Sequence, residues 1–436
     1  MKEVKVGLIG CGTVGTGVCR ILIEKQHLIS SRVGASVILK YVADLDTETD
    51  RGISFDDNIF IKDAFQVIGD PEIDIIIELI GGKTIAKELI LKAIEKGKHV
   101  VTANKALLAE EGEEIFQAAS EKGVSVAFEA SAGGCIPIVK TIRESLIGNR
   151  IKSMTGILNG TCNYILTKIA DEGLSFKDAL AMAQKNGFAE ADPTLDIEGG
   201  DTAHKISLLS TLSYGTRVDL NDVYIEGITG ITPLDIEFAD EFGYKIKLLA
   251  ISKALEKSIE VRVHPAMISC DNPLASVHGS LNAVSVTGDA TGEIVLYGYG
   301  AGMMPTASAV VSDIVDIARD LVSGAVNRLP SSFPLVSTSP VLPIDELITN
   351  YYFRFSAADK PGVLSKIAGI LGAYGISVKS VHQKGRKSKG PVPIVMLTHI
   401  AREADVQKAI SEIDSLDVID DNTVIIRIES DQDEQE

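Results

Sequence analysis

The five cysteines (Cys11, Cys19, Cys135, Cys162, Cys270) form no C-x-x-C pair and are odd in number. They therefore supply neither a disulfide framework nor a zinc site, and a reducing, cytoplasmic compartment fits them best. Long apolar runs are missing too. Nothing approaches the roughly 18 residues that would span a bilayer, and the opening MKEVKVGLIG enters a strand directly, without a secretory core. Basic residues are in deficit, 42 Lys and Arg against 60 Asp and Glu, for a net charge of −18. That balance argues against nucleic acid and against an anionic membrane as partners. Part of the acidic excess is the tail 431–436, DQDEQE, which reads as disordered.

What is present is an ordinary globular composition, 45% hydrophobic and 23% charged, over 436 residues. That length is too great for one core, so two or three domains are expected. Val4 to Ile9 is a short apolar strand, followed at once by Gly10-Cys-Gly12-Thr13-Val14-Gly15 and a helix over Thr13 to Ile23. Strand, glycine turn and helix in this order are the dinucleotide-binding pattern. Gly10 permits the tight turn, Gly12 lets a pyrophosphate approach the backbone, and Gly15 lets helix and strand pack closely.

The next strand, Ser36 to Ala43, ends in Asp44-Leu-Asp46. An acid there accepts from ribose hydroxyls and favours NAD over NADP, although Lys40 and Arg51 are near enough in sequence to approach. The segment QHLISSRVG reads as a lengthened connection between the two. Asp74 to Ile80 and His99 to Ala103 read as buried parallel strands, ending in Gly81-Gly82 and Asn104-Lys105. Lysine at such a strand end lies on the edge where α/β proteins hold ligands; a solvated lysine at a helix start is the plain alternative.

After the strand Val124 to Phe128 the chain bends sharply through Glu129-Ala-Ser-Ala-Gly-Gly-Cys-Ile136-Pro137. On spacing this is a domain-crossing turn, though glycine-rich carbonyls with one carboxylate can ligate a hard cation. Beyond Pro137 the strand–helix alternation lapses into an α+β pattern. Within it lie a polar cluster, Asn159-Gly-Thr-Cys-Asn163, and the acidic stretch NGFAEADPTLDIEGGDTAHK from Asn186 to Lys205. Gly199-Gly200 followed by Asp201 reads as a helix start, which puts Asp201 and Lys205 one turn apart on one face. An exposed acidic loop with an ordinary Asp–Lys pair is the bland reading. Acids grouped around one lysine ahead of a buried helix would instead hold a substrate ammonium and tune a proton-transfer amine. Gly302-Met-Met-Pro305-Thr306-Ala307 opens a long helix expected to return to the first domain. Leu329 to Pro343 reads as a linker, and Asn350 to Ser430 has the βαββαβ order of a ferredoxin-like fold.

With these residues read, the chain resembles the homoserine dehydrogenase family over nearly its whole length. The resemblance rests on Gly187-Phe188, Asp192-Pro193, Asp196-Ile197, Gly199, Asp201 and Lys205, with the glycine turn, Ala103-Asn104-Lys105 and Gly302…Pro305-Thr306-Ala307 in the same order. Asp359-x-Pro361-Gly362-Val363-Leu364 resembles the opening of an ACT domain, a regulatory fold that binds amino acids.

The resemblance implies an α/β architecture in three parts. These are a Rossmann-type parallel sheet (1–134 with a return helix, 303–325), an α+β catalytic and dimerisation domain (135–302), and, after a linker (326–349), an ACT domain (350–430). It implies NAD(P)(H)-dependent reduction of L-aspartate 4-semialdehyde to L-homoserine, on the threonine, isoleucine and methionine route, by a homodimer or homotetramer. Lys205 would be the proton donor, and Lys105 would bridge cofactor and substrate and share the proton transfer. Glu190 and Asp201 would bind the substrate's polar end. Gly10, Gly12, Thr13, Val14, Gly15, Lys105 and Gly302 would contact the dinucleotide. Glu129 with the carbonyls of Ala132, Gly134 and Ile136 matches the family's structural Na+ site. An amino acid such as L-threonine is the effector implied for the ACT domain. Two competing readings are a non-catalytic dinucleotide- and amino-acid-sensing protein and a thiol-dependent semialdehyde dehydrogenase. The latter lacks an evident histidine beside Cys135 or Cys162.

Overall fold

A computed structural model describes residues 2–56, 58–325, 339–383 and 391–429. The first part of the expected linker, 326–338, and the acidic tail lie outside the described residues. The chain groups into two units: Met1–Met154 with His204–Asn221 and Leu281–Ser339, and Thr155–Ala203 with Asp222–Ser280 and Pro340–Glu436.

The first unit opens with β1 (Glu3–Ile9), α1 (Thr13–Glu24), α2 (Gln26–Val33), β2 (Ser36–Ala43), β3 (Phe60–Ile61) and α3 (Ala64–Gly69). It continues with β4 (Ile75–Glu78), α4 (Thr84–Glu95), β5 (His99–Thr102), α5 (Lys105–Lys122) and β6 (Val126–Ala127). The sheet order is β3-β2-β1-β4-β5-β6, parallel throughout. This is the doubly wound Rossmann order, whose direction reverses between β1 and β4. Their continuous apolar runs follow from burial on both faces; every residue of β4 is buried. QHLISSRVG is not an irregular connection. It forms α2, ended by Gly34 in the left-handed region, with Ile29 and Val33 turned into the core.

The helix Met303–Ser323 joins the same core, where Ala307, Val310, Ile314 and Ala318 meet Val6, Leu8, Val18 and Ile75. Gly17 makes the approach possible. A Cβ there would lie 2.8 Å from the Met303 carbonyl oxygen and 2.9 Å from the Ala307 Cβ. The return helix expected from Gly302 onward is thus packed directly on α1.

In the second unit, neighbouring strands run Tyr244–Ala254, Ile259–Ser269, Ile419–Glu429, Ile348–Ala358, Pro391–Thr398, Val378–Gln383. The last four give the order fourth-first-third-second expected of a ferredoxin-like βαββαβ fold. Helices Val363–Ala373 and Glu403–Asp414 cover a core of Tyr351, Phe353, Phe355, Ile367, Val406 and Ile410. This fold does not stand apart. Its final strand pairs in parallel with Ile259–Ser269, Ala266 opposite Arg427 and Ile268 opposite Glu429. That earlier strand contains Pro265, a residue that usually breaks a central strand. The strand continues because the proline falls between its pairing with Tyr224–Ile225 and its pairing with Arg427–Glu429, where no amide hydrogen is needed.

Buried ion pairs line this junction. The Arg427 guanidinium donates to Glu403 at 2.8 and 2.6 Å, to Glu226 at 2.8 Å and to the Tyr224 hydroxyl at 3.1 Å. Arg262 donates to Glu429 at 2.6 Å and to Glu260 at 2.8 Å. Arg354 and the Tyr352 hydroxyl both donate to Asp235, at 2.6 and 3.0 Å. Asp235 is itself the third residue of a capping box that starts the helix Pro233–Glu241, which sequence reading did not find.

Candidate active site

At the carboxyl edge of the parallel sheet Gly10 makes the tight turn and Gly15 the close approach that their spacing predicts. Gly10 has φ +97°, and a Cβ there would lie 2.6 Å from the Leu79 carbonyl carbon. A Cβ at Gly15 would lie 2.1 Å from the Gly10 carbonyl oxygen, so the turn closes only with glycine at both positions. Gly12 by contrast faces open space, and it leads into α1, whose first turn has no acidic residue. This is the open, positive helix end that suits a pyrophosphate. Thr13 is exposed and Val14 half-buried on the same turn. Gly302, with φ +126°, begins the return helix and is exposed.

Asp44, expected at the adenosine ribose, accepts from the Cys11 amide at 2.6 Å. Arg51 lies beside it, donating to the Cys11 carbonyl at 2.6 Å, with its guanidinium 3.8 Å from Asp44 and 3.7 Å from Asp46. Lys40 is instead paired with Asp70 and Glu72. The strand end therefore carries a carboxylate suited to a ribose, beside a largely buried guanidinium that donates to the carbonyls of Cys11, Thr49 and Asp46.

Lys105, half-buried, is the first residue of α5; of the residues that set it there, Asn104 stood out in the sequence while Glu78 and Thr102 did not. The buried Glu78 carboxylate accepts from the Thr102 hydroxyl at 2.7 Å and from the Ile80 amide at 2.9 Å. Thr102 Oγ1 accepts from the Asn104 amide at 3.0 Å. The Asn104 side chain donates to the Gly82 carbonyl at 2.6 Å and caps α5 through the Leu107 amide at 3.2 Å. Burial holds the Glu78 carboxyl above its ordinary range, against the opposing effect of these donors. The signal was a lone acid ending an otherwise apolar strand.

In the second unit the acidic stretch separates into two environments. Glu190 and Asp192 are exposed, whereas Asp196 is half-buried and Asp201 is 5% exposed. Asn159 joins the inner pair, its amide nitrogen donating to Asp196 at 2.7 Å and to Asp201 at 2.8 Å. Its side-chain oxygen caps the helix Gly160–Glu172 by accepting from the Cys162 amide at 2.8 Å. Thr161 donates to the Phe188 carbonyl at 2.5 Å. Asp201 lies in the first turn of the helix Gly200–Tyr214, and Lys205 follows four residues later, 8% exposed. The loop of the bland reading is thus exposed at Glu190 and Asp192, whereas the Asp201 and Lys205 that follow it are buried. The polar cluster at Asn159 was visible in the sequence, but its partners were not.

One turn further along its helix, Asn163 accepts from the buried Lys247 ammonium at 3.2 Å; Lys247 also donates to the Val277 carbonyl at 2.6 Å. Burial lowers the Lys247 pKa to about 8, so in the folded chain it sheds its proton before the unfolded chain does. Folded protein then binds fewer protons than unfolded protein between about pH 8 and the ordinary lysine value, and stability contributed at this site rises with pH across that window. Urea midpoints at about pH 7.5 and 10 should show wild type gaining on Lys247→Met as pH rises. A constant difference would refute the assignment.

Glu129, Ala132, Gly134 and Ile136 are all buried in one tight turn, with Gly133 and Gly134 at positive φ. The Glu129 carboxylate accepts from the amides of Val139 and Lys140 at 2.9 and 2.8 Å. Burial, then the nearby Asp313 charge, push its pKa up to about 8. A Cβ at Gly134 would meet the Gly300 carbonyl at 2.3 Å, so this turn is packed against the residues that lead into the return helix. No group of three or more His, Cys, Asp or Glu side chains is placed to hold a metal among the described residues. Nor is any described helix long and apolar enough to cross a membrane. A cavity of about 350 Å³ between α5 and the end of the helix Gly200–Tyr214 is lined by Leu108, Phe116, Leu208 and Leu212 and contains none of the predicted site residues.

Three family models match in succession. They are the homoserine dehydrogenase NAD-binding domain over residues 10–129, homoserine dehydrogenase over 137–315 and the ACT domain over 351–418. The chain is 45% identical to a homoserine dehydrogenase of Neisseria gonorrhoeae, covering 99% of each. It is similar to the crystal structure of a homoserine dehydrogenase from Thiobacillus denitrificans, with TM-score 0.93, 44% identity and 99% of each chain covered. A hyperthermophilic archaeal homoserine dehydrogenase solved in complex with NADPH matches 72% of this chain and 97% of its own, with TM-score 0.62 and 26% identity.

Proposed function

The chain belongs to the homoserine dehydrogenase family, an NAD(P)-dependent oxidoreductase family, and from that premise we propose that it reversibly reduces L-aspartate 4-semialdehyde to L-homoserine on the threonine, isoleucine and methionine route. The observation that carries this reading is the buried Lys205, one helical turn beyond a buried Asp201 that Asn159 holds in place. When bound, a reduced dinucleotide would supply the hydride. Lys205 gives its proton to the aldehyde oxygen, because an alkoxide left in a dry cleft is costly and a positioned ammonium both neutralises and protonates it. Asp201, with Glu190 at the exposed rim, takes the substrate ammonium. Lys105, set at the start of α5 by Asn104, Thr102 and Glu78, bridges cofactor and substrate and shares the proton transfer.

Gly10, Gly12, Thr13, Val14, Gly15 and Gly302 hold the dinucleotide. Both NADH and NADPH are candidates, since Asp44 ends β2 and the Arg51 guanidinium lies 3.8 Å from it. For a structural sodium ion the proposed ligands are Glu129 and the main-chain carbonyls of Ala132, Gly134 and Ile136; the Glu129 carboxylate also accepts from the amides of Val139 and Lys140. The ACT domain takes an amino-acid effector, with L-threonine as the first candidate, in a homodimeric or homotetrameric enzyme.

The test is the loss of reduced-nicotinamide absorbance on adding L-aspartate 4-semialdehyde to the full chain. It should be run with each cofactor, with and without L-threonine. Semialdehyde-dependent oxidation of at least one cofactor is expected. Dinucleotide binding without any turnover would favour a sensing protein instead.

A further inference from the structure

We propose that Asn159 is a positioning residue that holds Asp196 and Asp201 together as one preformed seat for the substrate's ammonium group. The inference rests on the dehydrogenase reading above. Two carboxylates this close repel one another, and in water they would turn apart or share a proton. Here a single amide group spans them, with donor distances of 2.7 and 2.8 Å to the two acids. Only the amide nitrogen can do this, because it offers two hydrogens while a carboxylate offers none.

Which end of the amide faces the acids is fixed by the backbone. The other end, Oδ1, accepts from the Cys162 amide at 2.8 Å as the N-cap of the helix Gly160–Glu172. Flipping the side chain would lose the cap and aim an oxygen at two carboxylates. Asn159 is 5% exposed, so water does not readily replace the bridge. The acids are also held from behind. Cys162 Sγ donates to the Asp196 carbonyl at 3.1 Å, and the Ile228 amide donates to the Ile197 carbonyl at 2.9 Å. Asparagine at this position therefore couples the start of one helix to the geometry of two acids more than thirty residues away in sequence.

Two variants separate the bridge from the cap. In Asn159→Ser the hydroxyl can still cap the helix but is too short to span both acids. In Asn159→Asp the shape and the capping acceptor are retained while the donor is lost. For each, kinetics are measured in the direction of L-homoserine oxidation with the full chain, alongside the thermal midpoint. The expected result for both is a KM for L-homoserine raised about tenfold or more, in line with loss of hydrogen bonds to charged groups. The dinucleotide KM should not change, and kcat should fall by less than KM rises. A residue that merely capped the helix would spare Asn159→Asp and would move stability and kcat together. Either pattern, or an unmoved L-homoserine KM in a folded variant, overturns the proposal. Wild-type protein with no activity on L-homoserine would overturn the dehydrogenase reading and this inference together, whereas an active wild type with unmoved variants overturns this inference alone.

Discussion

With Lys205 replaced by alanine, turnover is expected to fall by at least about a hundredfold, the low end for a general acid–base contribution, while the dinucleotide still binds. Alanine removes the proton source without breaking the helix, since it is the best helix former. The surroundings explain why the loss should be large. Lys205 follows Asp201 by one turn on a helix whose residues from 201 to 210 are all buried, so bulk water is a poor substitute donor. Steady-state rates at saturating semialdehyde, with cofactor affinity measured by fluorescence of the reduced nicotinamide, separate chemistry from binding. Near-normal turnover in a variant that binds cofactor would mean that the proton comes from elsewhere, with Lys105 the next residue to replace. If the two lysines share the step, Lys105→Ala should lower turnover less than Lys205→Ala and weaken cofactor binding as well.

The largest effect on stability should come from Arg427→Met. Arg427 and Glu403 side chains are each 2% exposed, and removing one member of a buried ion pair strands the other, at a cost of about 3–5 kcal/mol. The pH dependence identifies the cause. Burial works to raise the Glu403 carboxyl, and the Arg427 guanidinium more than offsets it, so Glu403 lies below its ordinary range in the folded chain. A carboxyl depressed on folding contributes stability above its unfolded value, and that contribution is lost as pH falls through the folded one. In Arg427→Met the order reverses, because a buried Glu403 without its guanidinium is raised. The variant's deficit, read from urea melts, should therefore be largest near neutral pH and shrink towards about pH 4–5. A second change, Glu403→Leu, should recover much of the loss, since apolar replacement of both partners is often neutral. A deficit below about 1 kcal/mol for the single variant would show that the cluster is a minor contributor.

The sequence was most informative where function and fold demand local patterns. The glycine turn, the parallel strands and the return helix could be read because close backbone approaches need glycine, and strands buried on both faces need unbroken apolar runs. The segment QHLISSRV escaped because two buried positions, Ile29 and Val33, are too few to mark a helix amid serines. The helix Pro233–Glu241 escaped as well, although Thr232-Pro233 and Asp235 were its start signal. At the site, Lys205, Asp201 and Lys105 stood out by spacing. Thr102 and Glu78 did not, and Asn159 showed only as part of a polar cluster, because what they do depends on partners brought near only by folding. The parallel pairing of Ile259–Ser269 with Ile419–Glu429 left no local trace, since nothing in either strand names the other.

That pairing bears on how the protein is made. The strand Ile259–Ser269 leaves the ribosome with one side of its second half unfilled, and it stays so until the chain has been extended through Ile419–Glu429. An open strand edge is a template for pairing with other chains, and domains otherwise tend to fold as they emerge. Nascent chains stalled before residue 419 should therefore be the aggregation-prone species during biosynthesis, and release of the final strand the step that ends the exposure.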